Sequence, residues 1–364
     1  MVFVGEFIMN IKANDIIFLI GAGCSCEAKI PTTIEMTKQI EQLLVSDNRW
    51  REYQFLYYHI KSAILYGEGI FGKFTTIFSI EKLVNILNEL EKKDSNIIYP
   101  FIANWNDRLL TLAGKDFKKV SELKMLITSH LIRWIKSTDN YKSAQYYKNF
   151  YTFQQEIEHP LRIFTLNYDL CFEHHQPYEN ALELGFDIND VWNSARFEAD
   201  HLDVNASIYL YKLHGSIDWK RDRTRGNLLI HSAHPEEEPD LIFGTDAKFQ
   251  SIDPYLFYVF EFRKYTLASK LIIIIGYSFA DNYINNLIKQ ALEHNKDRRI
   301  LVVDYKTGDQ AEREIRDNVK QALELQEDSQ ILIYTEGAKH FLENHLRADI
   351  IGNYIVAHDV KTVF

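Results

Sequence analysis

Cysteine is scarce in this sequence, whose 364 residues include only Cys24, Cys26 and Cys171. Three unevenly spaced thiols cannot form a disulfide framework, so we expect a protein of the reducing cytoplasm. A structural zinc ribbon needs four cysteines, usually as two CxxC pairs, and this chain has too few to build one. We therefore expect a protein without a zinc ribbon and without zinc.

Long apolar runs and an excess of positive charge are also missing. The longest aliphatic run, Leu271 to Ile275, is far shorter than the roughly 20 residues of a membrane-spanning helix, so we expect no membrane segment. Lysine and arginine number 41 against 51 acidic residues, which gives a net charge of −10. Such a chain gains no electrostatic attraction to phosphates, which argues against strong direct nucleic-acid binding.

Short apolar runs predict strands that are buried on both faces, because a half-exposed strand would alternate with polar residues. The runs lie at 16–20, 161–166, 208–213, 271–275, 300–303 and 331–334. Segments with helical spacing follow several of them, for example from Asp281 to Glu293. This alternation predicts an α/β fold with a Rossmann-like parallel sheet and helices on both faces.

The same pattern predicts how the chain is divided. Residues 9–45 and 159–310 form the two parts of the Rossmann-like domain, residues 46–158 a large helical insertion, and residues 311–364 a C-terminal extension. The insertion has few strand-like runs and two aromatic clusters, Trp50–Tyr58 and Tyr146–Phe153. Those aromatics fit either a hydrophobic core or a subunit interface, and the core is favoured.

A glycine turn follows the first strand, with the sequence Gly21-Ala22-Gly23-Cys24-Ser25. Glycines at such a turn let the backbone approach a pyrophosphate, and the next helix offers N–H donors at its positive end. The complete GxGxxG pattern fails because position 26 is cysteine. The alternative is a tight strand-to-helix turn that binds no ligand.

Two further strands are followed by polar side chains. Asn167 and Asp169 follow the strand at 161–166, and they could hold ribose hydroxyls or simply form an Asx turn. His214 follows the strand at 208–213 within the segment Lys212-Leu213-His214-Gly215-Ser216-Ile217-Asp218-Trp219. A neutral histidine can act as a general base near pH 7, but a buried histidine is also common as part of a loop.

The strand at 271–275 ends in Gly276-Tyr277-Ser278-Phe279. Gly276 and Ser278 could bring a backbone amide and a hydroxyl to a phosphate. Asp281 then has the position of a helix N-cap.

Taken together and in this order, the four segments resemble the sirtuin-like NAD-binding family, and especially its branch of NAD hydrolases from bacterial anti-phage defence. The resemblance extends over residues from about 16 to 304 and leaves out the helical insertion and the tail. It implies catalytic roles for Asn167 and Asp169 at the nicotinamide ribose and the attacking water, and for His214 as the catalytic histidine.

The resemblance also implies a set of NAD+-binding residues. Those for the phosphates and the adjoining ribose are Gly21, Ala22, Gly23, Ser25, Gly276 and Ser278. Asp304 lies where the family often has an asparagine that contacts the adenine ribose, so this chain departs from the family there. It departs again in lacking the four-cysteine zinc module, which in sirtuin deacylases helps to form the acyl-lysine cleft.

The predicted function is that of an NAD+ glycohydrolase, which uses NAD+ as its substrate and releases nicotinamide and ADP-ribose. The resemblance implies an NAD-depleting effector in anti-phage defence that forms homo-oligomers. It also implies a separate partner, either a HerA-type ATPase or an Argonaute-like protein. The sequence contains no GxxxxGK[ST] phosphate loop, so an ATPase would have to be another chain.

Three alternatives compete with this prediction. The first is a sensor that binds NAD+ or ADP-ribose without turnover, and the second is an NAD-dependent protein deacylase. The third is a metal protein that uses Cys24 and Cys26 with His231 and His234.

Overall fold

The computed structural model describes residues 11–72, 78–92, 107–136, 138–198, 206–225, 228–232, 234, 239–242 and 253–355. The described residues form two compact units. One unit contains the sheet and takes in the described residues within 1–30, 138–241 and 250–364; the other takes in those within 31–137 and 242–249.

The sheet unit is built on seven parallel strands among the described residues. In chain order they are β1 (Ile16–Ile20), β2 (Leu161–Thr165), β3 (Leu182–Glu183), β4 (Ile208–Lys212), β7 (Leu271–Ile275), β8 (Arg299–Val303) and β9 (Ile331–Tyr334). Their spatial order is β3-β4-β2-β1-β7-β8-β9. The glycine turn after β1 is therefore flanked by the ends of β2 and β7.

Both faces of this sheet are covered, which explains why the strands lack polar alternation. All five residues of β1 are buried. Ile17 and Leu19 belong to a hydrophobic cluster on one face, whereas the ring of Phe18 lies 5.3 Å from Phe150 on the other. The predicted α/β class with a parallel sheet between helices is confirmed.

The helices of the sheet unit supply these covering layers. They are α7 (Thr138–Ser143), α8 (Lys148–Ile157), α9 (Tyr255–Ala268), α10 (Asn282–His294), α11 (Ala311–Ala322), α12 (Ala338–Asn344) and α13 (Ala348–Ile351). Helices α9 and α10 contribute Phe262 and Ile288 to the hydrophobic cluster, and α8 contributes Phe150 to the opposite face.

The second unit is helical in its described part. Its helices are α1 (Thr33–Ser46), α2 (Asn48–Arg51), α3 (Gln54–Ile70), α4 (Ile80–Glu91), α5 (Asp107–Ala113) and α6 (Lys118–Ile135). Helix α1 starts with a capping box in which the side chains of Thr32 and Glu35 each accept from the other's backbone N–H. Inside this unit the indole ring of Trp50 lies 4.9 Å from the imidazole of His130.

The limits of the helical unit differ from those predicted for the insertion. Helix α1 packs against α2 and α4 and so belongs to the helical unit, although residues up to 45 were assigned to the Rossmann-like domain. Helices α7 and α8 belong to the sheet unit, because the rings of α8 pack on β1. The buried Tyr146 and Phe153 fit the core interpretation of the second aromatic cluster.

Several elements were not predicted. None of the strands predicted from the sequence lies between residues 214 and 270, yet β5 (Trp219–Asp222) and β6 (Leu228–His231) form an antiparallel hairpin there. The indole of Trp219 is fully buried in the core. Strand β9 pairs with β8, so the sheet continues past residue 310 into the predicted extension. Residues 356–364 of that extension lie outside the described residues.

None of the described helices contains an apolar stretch that is long enough to span a lipid bilayer.

Candidate functional site

Two glycine turns pack directly against each other at the carboxyl edge of the sheet. The N–H of Gly21 donates to the Ile275 carbonyl and that of Gly23 to the Gly276 carbonyl, both at 2.9 Å. A Cβ on Gly23 would lie 2.7 Å from Gly276 Cα, and one on Gly276 would lie 2.2 Å from the Cys24 nitrogen. The turns after β1 and β7 therefore require glycine for their own contact, whether or not a ligand is bound.

The outer side of these turns faces solvent. Ala22 and Ser278 are exposed, and Gly23 is half-buried. Asp304, at the end of β8, is also exposed, and its backbone is fixed by Tyr334 and Gly337. These residues form an accessible rim along the ends of β1, β7 and β8.

The loop after β2 is tied to the first glycine turn through Asn167. The Asn167 side-chain nitrogen Nδ2 donates to the Gly21 carbonyl and to the Ser25 hydroxyl, both at 3.1 Å. Since a carbonyl can only accept, the amide nitrogen must face Gly21, and the amide oxygen Oδ1 is directed away from it. Asn167 is itself 9% exposed, so its side chain is nearly enclosed.

Asp169 has two structural partners. One carboxylate oxygen accepts from the Ser25 hydroxyl at 2.7 Å, and the other accepts from the Cys171 N–H at 3.1 Å. The hydrogen bond from Cys171 forms an Asx turn, which was the alternative to a ligand contact in the sequence analysis. Asp169 therefore forms the Asx turn and also shares Ser25 with Asn167. The turn holds the Asp169 carboxylate in this position.

His214 follows β4 in a tight turn closed by a hydrogen bond from the Gly215 N–H to the Lys212 carbonyl. Its Nε2 lies 3.8 Å from the Asp281 carboxylate, and both side chains are buried. The other Asp281 oxygen accepts from the N–H groups of Tyr283 and Ile284. Asp281 is thus the predicted N-cap of α10, and it also turns a carboxylate oxygen towards His214.

The loops after β2 and β4 are joined to each other. The Ile217 N–H donates to the Tyr168 carbonyl at 3.2 Å, and the Tyr168 ring lies 6.2 Å from the His214 ring. The two strands are neighbours in the sheet. The structure therefore brings Asn167, Asp169 and His214 to adjacent loops at one edge.

A buried charge network lies beneath these loops. The Lys212 ammonium is 1% exposed and donates to the Asp169 carbonyl at 2.6 Å and to the Glu173 carboxylate at 2.8 Å. Burial opposes its charge, but Glu173 and Asp218 outweigh that effect and raise the pKa of Lys212 above its ordinary value. The ammonium thus anchors the backbone at Asp169.

Asp218 connects this network to the β5–β6 hairpin. Its carboxylate lies 3.2 Å from Nε2 of His231, whose other ring nitrogen is 3.5 Å from Asp190. The hydrogen bond to Asp218 outweighs the effect of burial and raises the pKa of His231. Folding therefore favours the imidazolium form of His231 relative to the unfolded chain.

The His231 pair predicts a pH-dependent contribution to stability. A raised folded-state pKa stabilises the fold fully below the unfolded value of ~6.5, and the effect is lost as the pH rises through the folded value. We expect the loss of unfolding free energy in His231→Gln to be largest near pH ~6 and to shrink at higher pH. Urea denaturation across this range measures it.

His59→Gln is the control for that series, since His59 makes none of the hydrogen bonds or ion pairs seen among the described residues. A loss in His231→Gln that grows with rising pH would contradict the assignment.

Three residues of this edge were not predicted from the sequence to have these roles. Lys212 begins the segment around His214 that was singled out in the sequence, but the sequence did not show that its ammonium group is buried. Asp281 was identified only as a cap. Tyr147 belongs to the second aromatic cluster, but nothing in the sequence linked it to Ser25, which lies 122 positions away and whose hydroxyl is 2.8 Å from that of Tyr147.

The cysteines do not converge with histidines in the described part of the chain. Cys24 is buried, and burial raises the pKa of its thiol. Among the described residues, no group of three or more His, Cys, Asp or Glu side chains is placed to hold a metal ion.

Comparison with known families gives a match to part of the chain. Residues 161–327 match the SIR2-like domain family. The matched SIR2-like region runs from β2 through α11 and includes Asn167, His214 and Gly276. It begins after β1, so the glycine turn at 21–25 lies outside it. Among curated proteins, none matches the chain significantly.

Solved structures give further likenesses. A mutant Sir2 homologue in complex with 2′-O-acetyl ADP-ribose is 12% identical, with 96% of each chain covered and a TM-score of 0.44. A Sir2 homologue in complex with NAD is 11% identical over 95% of this chain and 93% of its own, again with a TM-score of 0.44.

Proposed function

We propose that this protein binds NAD+ at the carboxyl edge of its sheet and hydrolyses the nicotinamide–ribose bond to nicotinamide and ADP-ribose. One observation carries the proposal: Asn167, Asp169 and His214 follow the adjacent strands β2 and β4, and Asn167 contacts the glycine turn of β1. Ligands of open α/β sheets bind at this edge. The match to the SIR2-like domain supports the same chemistry.

Cleavage of this bond builds positive charge on the ribose, as in glycoside hydrolysis. In the proposed reaction, the Asp169 carboxylate supplies negative charge near that centre, at the fixed position given by Ser25 and Cys171. The Asn167 oxygen orients the ribose and the attacking water. Nicotinamide leaves as a neutral molecule, so its departure needs little acid assistance.

His214 is the proton acceptor in this scheme. It takes a proton from a ribose hydroxyl or from the water, and Asp281 at 3.8 Å stabilises the imidazolium that forms. Attack by water gives ADP-ribose; attack by the adenine of the same molecule would give the cyclic product.

The direct test is to incubate the purified chain with NAD+ and to quantify nicotinamide and ADP-ribose by chromatography, with and without an acetylated peptide. The proposal expects nicotinamide release that needs no peptide. Release that depends on the peptide and matches its deacetylation would establish a deacylase instead. Binding of NAD+ without release under every condition would leave a sensor.

We further propose that the activity serves as an NAD-depleting effector in anti-phage defence and is controlled by assembly. Unrestrained NAD+ hydrolysis would harm the cell that makes the enzyme. Control would act through homo-oligomers and a separate HerA-type ATPase or Argonaute-like partner. The rate of NAD+ loss with and without a candidate partner tests this, and a full rate from the purified chain alone would contradict it.

Asp304 predicts a preference for NAD+ over NADP+. An acidic side chain at the end of a strand can accept from the ribose 2′-hydroxyl and repels a 2′-phosphate. We expect Asp304→Asn to raise the ratio of NADP+ to NAD+ cleavage by about tenfold, as measured from kcat/KM for both dinucleotides.

Asp309→Asn is the matched control for this preference, since it removes an exposed carboxylate from the same loop but not from the strand end. An equal change in both variants would point to the overall charge of the loop rather than to ribose recognition.

A further inference from the structure

Ser25 is the centre of a buried hydrogen-bond cluster. Its hydroxyl is 2.7 Å from the Asp169 carboxylate, 3.1 Å from Asn167 Nδ2 and 2.8 Å from the Tyr147 hydroxyl. A hydroxyl has one proton to donate and two lone pairs to accept with. The proton goes to the carboxylate, so Asn167 and Tyr147 must both donate to the Ser25 oxygen.

This assignment leaves Ser25 fully used within the protein. Ser25 is 1% exposed and Tyr147 is fully buried. In this arrangement the hydroxyl has no hydrogen-bonding capacity left for a phosphate or a ribose. Its place in the site is therefore to join Asn167 and Asp169, rather than to contact the dinucleotide directly.

Tyr147 is well suited to hold that hydroxyl in place. It lies in the short 3-10 helix Gln145–Tyr147, and its ring meets Phe172 edge-on at 4.8 Å. Burial keeps the pKa of its phenol well above the ordinary value, so the proton stays available for donation. Few rotamers are open to a ring enclosed in this way, so the donor direction is fixed.

We propose that Tyr147 is a positioning residue: by saturating Ser25 it fixes the Asn167 amide and the Asp169 carboxylate. The effect of Tyr147 on catalysis rests on the NAD+-cleaving function proposed above. The consequence is that the site depends on a segment before β2, outside the region that matches the SIR2-like domain. Without the phenol, Ser25 gains a free lone pair and can rotate away from Asn167.

The experiment compares Tyr147→Phe with Tyr146→Phe and Tyr151→Phe. Each variant removes one hydroxyl from the same segment, but the Tyr146 hydroxyl donates to the Cys24 carbonyl and that of Tyr151 to the Phe172 carbonyl. We expect Tyr147→Phe to lower kcat by about tenfold and to change KM by less than about twofold, while both controls keep near-normal kcat.

A double-mutant cycle tests whether the effect passes through Ser25. Adding Tyr147→Phe to Ser25→Ala should cause no further loss of kcat, because the group on which Tyr147 acts is gone. Losses that multiply would overturn the proposal, since Tyr147 would then act independently of Ser25. Unchanged kcat in Tyr147→Phe, with active wild type, would overturn it while leaving the proposed function intact.

A second readout does not depend on turnover. In asparagine-labelled protein, the Asn167 side-chain amide signal, identified by its absence in Asn167→Ala, should shift in Tyr147→Phe and stay in place in both controls. If wild type cleaves no NAD+, the catalytic proposal fails, and this signal still decides whether Tyr147 positions Asn167. Should Tyr147→Phe not fold, an unmoved signal in Ser25→Ala would overturn the inference.

Discussion

Replacing His214 by alanine should lower the rate of NAD+ cleavage by about 10²- to 10⁴-fold, which is the usual contribution of a general base. His214 lies in the loop after β4, with the Asp281 carboxylate 3.8 Å from its Nε2. Nicotinamide release at saturating NAD+ measures the effect, and NAD+ binding by calorimetry should persist.

The control for this variant is His59→Ala, which removes an imidazole from α3 in the helical unit. It should leave nicotinamide release unchanged. If His214→Ala retained full activity, the base would have to be another group, and the proposed roles of Asn167 and Asp169 would need a different proton acceptor.

Replacing Gly276 by alanine should destabilise the folded protein by about 3 kcal/mol or more and prevent NAD+ binding. Gly276 has a φ of +63°, where a side chain costs roughly 1–2 kcal/mol by itself. The added Cβ would also lie 2.2 Å from the Cys24 nitrogen and 2.4 Å from the Gly23 carbonyl carbon. Both are backbone atoms that cannot rotate away, so the two glycine turns would have to separate.

The midpoint of urea denaturation and calorimetric titration with NAD+ together measure this effect. Gly67→Ala and Gly69→Ala are the matched controls, because a Cβ at either position in α3 meets no atom within 4 Å. They lie in the last turn of α3, where alanine should stabilise by at most ~1 kcal/mol. A Gly276→Ala protein with the wild-type midpoint and normal NAD+ binding would show that the turns need not touch.

The sheet could be predicted because its strands carry a strong local signal. β1 and β7 are five-residue apolar runs, and only burial on both faces accounts for such sequences. Helix α10 was recognisable from Asp281 and the apolar spacing that follows it. The β5–β6 hairpin was missed because its strands are short and its sequence, with Arg221 and Asp222, is typical of a loop.

The boundary of the helical unit could not be predicted for a different reason. Helices α1 and α8 both have ordinary amphipathic sequences, and nothing local tells which partner each one packs on. The contact of Phe150 with Phe18 assigns α8 to the sheet, although 132 positions separate the two rings. Such a choice depends on shape complementarity between distant segments.

By itself, the sequence determined the parallel sheet, the two glycine turns and the polar residues that follow β2 and β4, because strand burial, turn geometry and helix capping all leave local patterns. Only the tertiary structure decided what those residues contact. In the folded protein the backbones of the two glycine turns contact each other, and Asp281 lies beside His214. The Ser25 hydroxyl is hydrogen-bonded to Tyr147, Asn167 and Asp169. These contacts join residues up to 255 positions apart, and no local pattern encodes a partner at that distance.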